Sequence, residues 1–428
     1  MRLQYDIAPV NQAAFAETTR LQDGTLTVNR EELSRLLAVD TRLRAVEVHL
    51  ANPGEECRIV DVFDVIEPRC KVDGRVNFPG VIEPLARVGD GRTRVLRGAA
   101  VVVLSALPDL FKTVIDMSGE AAQFIPYART ANVCIAAQPA AGVERVAYYR
   151  ALKEAAVKAG TFLARAVADT PVHATEIYDL DRPTAEPTSS SPLPRVAYVF
   201  MLASHQVPTE ADEPILYGDN VRHLLPTVLH PNEVLDGAVL APYWYLGTET
   251  YFIQNHPVIL DLYHRHGLDL EFAGVVAIVA HVTDAERRRS VVMAANLVKE
   301  TLRADGVLLT KTGGGIPESD LMSMVDACEG LGMRTTVLVW THRGDGRTDG
   351  SLTFISPRAD ALVSVGMHEE PIDLPPVKRV IGGSLVSPPV SEPDAEARPA
   401  NGALRLRLSS LAGVINQLGA GRLSIEEY

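Results

Sequence analysis

Cysteine is scarce in this chain. Four residues in 428, Cys57, Cys70, Cys134 and Cys328, are widely scattered and form no CxxC pair. That spacing excludes a zinc ribbon or a thioredoxin-like motif and fits reduced thiols serving as small core side chains. No apolar run approaches the roughly 20 residues of a membrane span. Met1–Asp6 carries no signal-peptide pattern, so a cytoplasmic protein without a membrane partner is expected. Positive charge is also short: 41 Lys and Arg against 54 Asp and Glu leave a net charge of −13, which argues against nucleic acid. Metal-ligand clusters are lacking too. Of eleven histidines only His264 and His266 are close together, and side chains two apart diverge at a helix end, so no metal is expected.

What is present reads as an α/β protein. The length suits two or three domains with a large core. Residues 1–95 form a strand-rich N-terminal module: Asp23-Gly24 is a hairpin turn, Thr25–Val28 its return strand, and Asn29 caps a short helix with Glu32 in the capping-box position. Val46, Val48 and Leu50 alternate as a half-buried strand, and Ile59–Ile66 is another. Arg69, Arg92, Arg94 and Arg97 are placed either to face an anion or to pair with carboxylates at a domain seam. Residues 96–181 form an α/β layer. Ala99–Leu104 and Asn132–Ala136 are continuously apolar, as parallel strands covered on both faces are, and Val143–Val167 has helical spacing. Asp116 reads as a loop or cap residue.

Residues 182–195, rich in Pro, Ser and Thr, are the expected linker. The C-terminal α/β domain, 196–428, opens with the strand Val196–Leu202, followed by a polar loop from His205 to Asn220. It continues as Val275–Ala280, a helix from Asp284 to about Arg303, Gly306–Thr310, a helix to Cys328, Thr335–Trp340 and Ala361–Val365. Strand–helix alternation with short links implies a parallel sheet, Rossmann- or flavodoxin-like, with ligands at the carboxyl ends of the strands. One such end carries Lys311 and the turn Gly313-Gly314-Gly315, a candidate anion or substrate cradle that is neither a Walker A loop nor GxGxxG. Residues 388–401 read as a mobile segment, and Leu404–Leu411 as a final strand.

The stretch Pro226–Gly267 concentrates the functional candidates. Two apolar runs, Gly237–Leu240 and Val258–Leu262, suggest a strand pair. Between them Tyr243, Trp244, Tyr245, Tyr251 and Phe252 gather five of the chain's 24 aromatics. Tyr243, Trp244 and Tyr245 are candidates for lining a substrate pocket, or for filling a domain seam. His256 is a candidate proton donor.

Ordered motifs along nearly the whole chain carry a resemblance: Asp64–Arg69, Phe78–Ile82, Gly91–Ala100, Ile115–Gly119, Pro226–Leu229, Asn232–Ala238, Pro257-Val258, Arg265–Gly267 and Val380–Gly382. With them the chain resembles the component B alpha/beta proprotein of the glycine, sarcosine and betaine reductases, with the D-proline reductase proprotein as a cousin. The resemblance implies a subunit of a reductase system acting on a C–N bond. In that family the proprotein cuts itself beside a cysteine just after the Asp-Gly-Ala segment. The resulting pyruvoyl group captures an amine as a Schiff base, and a thiol- or selenol-bearing subunit completes the reduction. Here Gly237–Pro257 holds neither Cys nor Ser, the side chains from which a pyruvoyl group is made. No pyruvoyl cofactor is therefore expected. Thr248, with Glu249 or a histidine as base, is the remaining candidate nucleophile or self-cleavage point; the reading carried forward is an uncleaved, aromatic-lined surface. A small amine or amino-acid-like substrate and a thiol- or selenol-bearing partner subunit are the implied ligands. A non-catalytic scaffold stays open as an alternative, as do Thr248-based chemistry and assembly into a homo-oligomer.

Overall fold

The computed structural model describes residues 1–107, 113–183, 191–204, 212–243, 248–311, 315–341, 352, 355–367, 370–387, 396–414, 416–419 and 424–427. Trp244, Tyr245, Gly313 and Gly314, half of the expected linker (184–190), the first part of the loop after position 204 and residues 388–395 lie outside them.

In chain order the first half supplies β1 (Arg2–Pro9), α1 (Arg30–Ala38), β2 (Leu43–Ala51), β3 (Cys57–Ile66), β4 (Arg69–Lys71) and β5 (Gly91–Arg97). Next come β6 (Ala99–Ser105), β7 (Thr113–Asp116), β8 (Ala131–Pro139), α2 (Arg145–Ala166) and β9 (Ala174–Asp179). The second half supplies β10 (Arg195–Leu202), β11 (Thr227–Leu229), α3 (Pro231–Leu235), α4 (Thr250–Gln254), α5 (Pro257–Arg265), β12 (Glu271–Val279) and α6 (Asp284–Asn296). It ends with β13 (Gly306–Thr310), α7 (Ile316–Gly330), β14 (Arg334–Thr341), β15 (Ala361–Met367), β16 (Arg379–Ile381) and β17 (Ser424–Glu427).

Local chemistry sets several of these bounds. Asn29 accepts from the Glu32 amide at 3.0 Å and starts α1, whose Leu33 and Leu37 are buried. Thr283 caps α6 rather than Asp284, which instead lies in the first turn where a carboxylate suits the helix dipole. A single π-type turn, Leu297–Thr301, extends that helix to the expected end. The run Val258–Leu262 is helical rather than a strand: Pro257 opens α5, and Val258, Ile259 and Leu262 fall on one buried face. The partner run is a buried irregular segment held by a single bridge from Val239 to Leu216, so no strand pair forms there.

Three sheets organise the chain. The first has the order β9-β1-β5-β4, and the second β7-β3-β6-β8-β2, with β16 also pairing with β3. In the second sheet only β6 and β8 run parallel along that path; β3 with β6, β7 with β3, and β8 with β2 are antiparallel. This layer is therefore mixed rather than parallel. Strands from both sides of position 95 share both sheets, so the backbone joins the first two expected units through hydrogen bonds. Asp116 is a fully buried strand residue, not a loop or cap residue, and its carboxylate lies 2.7 Å from the Arg58 guanidinium.

The third sheet has the order β11-β12-β10-β13-β14-β15-β17. Its five central strands are parallel, and numbered along the chain they lie 2-1-3-4-5. That is the flavodoxin-like member of the expected pair, with its switch point between β10 and β13. Ala197, Val199 and Met201 face the α6–α7 layer, whereas Tyr198, Phe200 and Leu202 share one continuous core with α5 and the first half. Phe252 and His256 lie along this second face.

Candidate functional site

Residues 230–243 and 248–256 bridge the two halves and are fastened by buried charges. His230 caps α3: its Nδ1 accepts from the Asn232 amide at 3.1 Å while Glu233 accepts from the His230 amide at 2.7 Å. The Asp236 carboxylate lies 2.5 Å from Lys71 and accepts from the Gly89 amide at 2.8 Å and the Thr93 hydroxyl at 3.1 Å. Gly237 follows with φ +91°, and a Cβ there would sit 3.0 Å from the Phe78 ring, so the Asp-Gly pair is fixed by both charge and backbone shape. A cavity of about 20 Å³ lies beside it, lined among others by Arg69, Lys71, Thr93, Asp236 and Gln254. It has room for about one water, not for a substrate.

A second knot centres on Asp64, buried in β3. The Lys153 ammonium of α2 lies 2.5 Å from its carboxylate, and the Thr250 hydroxyl and amide donate to it at 2.7 and 2.9 Å. The Ala241 amide donates to the Thr250 hydroxyl at 3.1 Å. Start and end of the aromatic stretch are thereby tied to one carboxylate. A third knot pairs the buried Glu67 with Arg69, whose guanidinium also donates to the Tyr5 hydroxyl, the carbonyls of Leu235 and Gln254, and Asn255. Arg97 joins Glu67 at 3.2 Å and Arg92 joins Asp6 at 2.6 Å, while Arg94 donates to the Ala168 and Thr170 carbonyls. Arg69, Arg92 and Arg97 pair with carboxylates of the protein itself, as the seam-pairing alternative has it, while Arg94 binds carbonyls.

The sequence candidates divide between two cores. Tyr243 packs against Phe63 and Tyr149 at ring separations of 6.0 and 5.6 Å, and its hydroxyl donates to the Asp212 carbonyl. Tyr251 and Phe252 point the other way, onto Tyr127 at 5.3 and 5.9 Å. Glu249 is held by the Tyr127 hydroxyl at 3.1 Å and the Gly413 amide at 2.9 Å. Thr248 is buried beside it, and its hydroxyl has no hydrogen-bond partner among the described residues. His256 is fully buried against Tyr198 and Phe200; its Nε2 lies 3.1 Å from the Tyr198 hydroxyl, which lies 2.5 Å from the Thr310 hydroxyl. Burial pushes the His256 pKa down to about 3, so the ring is neutral at physiological pH.

Lys311 directly follows Thr310 at the carboxyl end of β13. Its ammonium is 3.1 Å from Glu318 in the first turn of α7 and 4.7 Å from the centre of the Trp340 ring. Burial lowers its pKa, against the pull of Glu318. Gly315 caps α7 with φ +75°. His266 ends α5, where its Nδ1 accepts from the Phe272 amide. Among the described residues no three His, Cys, Asp or Glu side chains are grouped to hold a metal ion, and no helix is long and apolar enough to cross a membrane. Asp64, Lys153 and Asp236 escaped selection as site residues. An acid flanked by Phe63 and Val65, and a lysine beside Leu152 on a helix face expected to be buried, were the available signals.

Two α/β halves locked across a charged seam, one of them flavodoxin-like, define a class of large α/β protein with its candidate site between layers. Comparison with known proteins supplies the family. The description "glycine/sarcosine/betaine reductase component B subunits" matches residues 1–426. The glycine reductase complex component B subunits alpha and beta of Peptoclostridium acidaminophilum are 32% identical over all of both chains. The sarcosine reductase complex component B subunit alpha of the same organism is 35% identical over 89% of each. Its betaine reductase counterpart is 32% identical over 89% of this chain and 88% of its own. No solved structure matches. The chain belongs to the glycine/sarcosine/betaine reductase component B family.

Proposed function

We propose that this chain is the substrate-handling subunit of a reductase system of this family, working as an uncleaved polypeptide without a pyruvoyl group. It binds a small amine or amino-acid-like substrate, and a separate subunit bearing a thiol or selenol supplies the reducing electrons. The observation that carries the reading is compositional and local: a family member over residues 1–426 has neither Cys nor Ser between Gly237 and Pro257. The pyruvoyl group therefore does not fit the residues present.

The four cysteines support the need for a partner. All are buried, and burial pushes the thiols of Cys70 and Cys328 up to about 11 and 12. A thiol acts as a reductant through its thiolate, and buried groups with raised pKa hold almost none at neutral pH. Lys153, Asp64 and Thr250 fix the start of α4 from within, and the neutral His256, hydrogen-bonded to the Tyr198 hydroxyl, is the candidate proton donor.

The test is reconstitution with the thiol- or selenol-bearing subunit of a relative, following amine release from glycine, sarcosine and betaine. Turnover that requires this chain supports the reading. Absence of turnover with binding of the partner intact would favour the scaffold alternative. A covalent adduct on Thr248 would favour chemistry at that hydroxyl.

A further inference from the structure

The three sheets have six edges, and five of them are ill suited to further pairing. β4 and β11 are three residues long and β17 is four. β7 is also four residues long, shifts register against β3, and is bridged from Val114 to Leu411. β2 has a register shift against β8 and holds Ala45 at φ +49°. Short length, irregularity and cover are the devices by which an edge avoids other chains. β9 has none of them. It pairs with β1 over six consecutive residues without a shift and holds no Pro, Gly or Lys. Ile177 within it is 48% exposed, and Val172 just before it 41%. Among the described residues no strand pairs with its outer side.

The ladder fixes which backbone groups face outward. Met1 and Leu180 exchange both hydrogen bonds, and in an antiparallel pair that pattern recurs every second residue. The backbones of Ala174, Glu176 and Tyr178 therefore turn to β1, and those of Thr175, Ile177 and Asp179 turn away from it. A second copy of β9 can pair there only with outward residues opposite outward residues. A two-fold axis at Glu176 or at Asp179 would set a carboxylate opposite its own copy, and like charges directly opposite are destabilising. An axis at Thr175 puts Asp179 opposite Pro171, which has no N–H to give, and one at Tyr178 puts Asp179 opposite Ile177. An axis at Ile177 avoids all of these. It stacks Ile177 on Ile177, sets Thr175 opposite Asp179, and sets Glu176 opposite Tyr178, two side chains that already hydrogen-bond within one chain at 2.9 Å. Just beyond the strand ends it brings the exposed His173 and Asp181 opposite each other. We propose that β9 pairs with β9 of a second copy of this chain, antiparallel about a two-fold axis at Ile177, so that the two four-stranded sheets continue as one. The same strand supports the start of the candidate site, since the Tyr178 carbonyl accepts from Asn232 of α3 at 3.1 Å. The pairing does not depend on the reductase reading.

The test is sedimentation equilibrium of the full chain at micromolar concentration, which separates a monomer of 46.3 kDa from a species of twice that mass. The wild-type chain should be a dimer. Ile177→Lys sets two ammonium groups opposite each other at the axis and should raise the dimer dissociation constant at least tenfold. Thr175→Pro removes an outward N–H that β1 does not use, a change an edge strand tolerates, and should weaken the dimer likewise. Circular dichroism of each variant reports folding separately. Cross-linking reads the register. The four native cysteines are buried, so under diamide Ile177→Cys should join two chains several-fold faster than Asp179→Cys, whose thiol faces Thr175. A monomeric wild-type chain, a dimer that survives both Ile177→Lys and Thr175→Pro, or equal cross-linking of the two Cys variants would overturn the pairing. A monomer that binds a thiol-bearing subunit and loses it in Ile177→Lys would give the edge to that subunit and overturn the pairing too.

Discussion

Replacing Lys153 by methionine tests the Asp64 knot most sharply. The ammonium and carboxylate are 2.5 Å apart and their side chains are 0% and 1% exposed. Removing one partner of a buried ion pair costs about 3–5 kcal/mol, because the other charge stays behind unpaired. Here the two ends are unequal. With Lys153→Met the Asp64 carboxylate retains the Val65 amide and the amide and hydroxyl of Thr250, so the loss should sit near the lower end, about 3 kcal/mol. Asp64→Ala strands the ammonium and those three donors together, and should cost about 5 kcal/mol or more. At a urea slope of roughly 3 kcal/mol/M the two midpoints fall by about 1 M and about 1.7 M. Urea unfolding followed by tyrosine fluorescence and by circular dichroism reads both. A Lys153→Met midpoint within about 0.2 M of wild type, or an order reversed between the variants, would refute the reasoning.

Three further outcomes are expected. His256 and His230 are kept neutral by burial, with pKa values pushed down from 6.5 to about 3 and about 4. Between pH 6.5 and 4 the unfolded chain therefore binds protons that the native chain does not, and stability falls as the pH falls. Each ring contributes about 1.4 kcal/mol per pH unit, so His256→Gln should flatten the slope by that amount; an unchanged slope means the ring is not buried neutral. Gly237→Ala should cost about 1–3 kcal/mol, from its φ of +91° and the contact with Phe78. Gly54→Ala, at φ +80° with nothing within 4 Å, should carry only the backbone part. Equal losses in the two variants would remove the Phe78 contact from the account. Arg58→Met should destabilise by about 3 kcal/mol or more, since it unpairs Asp116 and three carbonyl acceptors, those of Pro375, Ala400 and Gly402; a thermal midpoint unchanged from wild type would contradict that.

The elements that were legible in the sequence share a cause. β6, β8, β10, β12, β13 and α2 are long and strongly periodic or continuously apolar, and local pattern decides them. Val258–Leu262 is a short apolar run whose composition suits a strand or a helix alike; Pro257 at its start is the deciding residue. Pairing across distance left no local trace. Nothing in Arg2–Pro9 announces that β9, 165 or more residues on, is its antiparallel neighbour. The site residues split the same way. Tyr243, Thr248, Glu249 and His256 were visible from an unusual stretch and from the family resemblance. Asp116 illustrates the limit: an acid inside an apolar strand resembles a turn residue until its partner, Arg58, 58 residues earlier, is placed beside it.

The central claim is that this family member works as one uncut chain, because the stretch after Asp236-Gly237-Ala238 offers no sulfur or primary hydroxyl to become a ketoacyl end. Intact mass spectrometry of the native protein, with and without a carbonyl-reactive hydrazine, tests it directly. The account predicts a single species at the full-chain mass of 46.3 kDa that gains nothing from hydrazine. Two fragments, one of them with a blocked terminus that takes up the reagent, would contradict it.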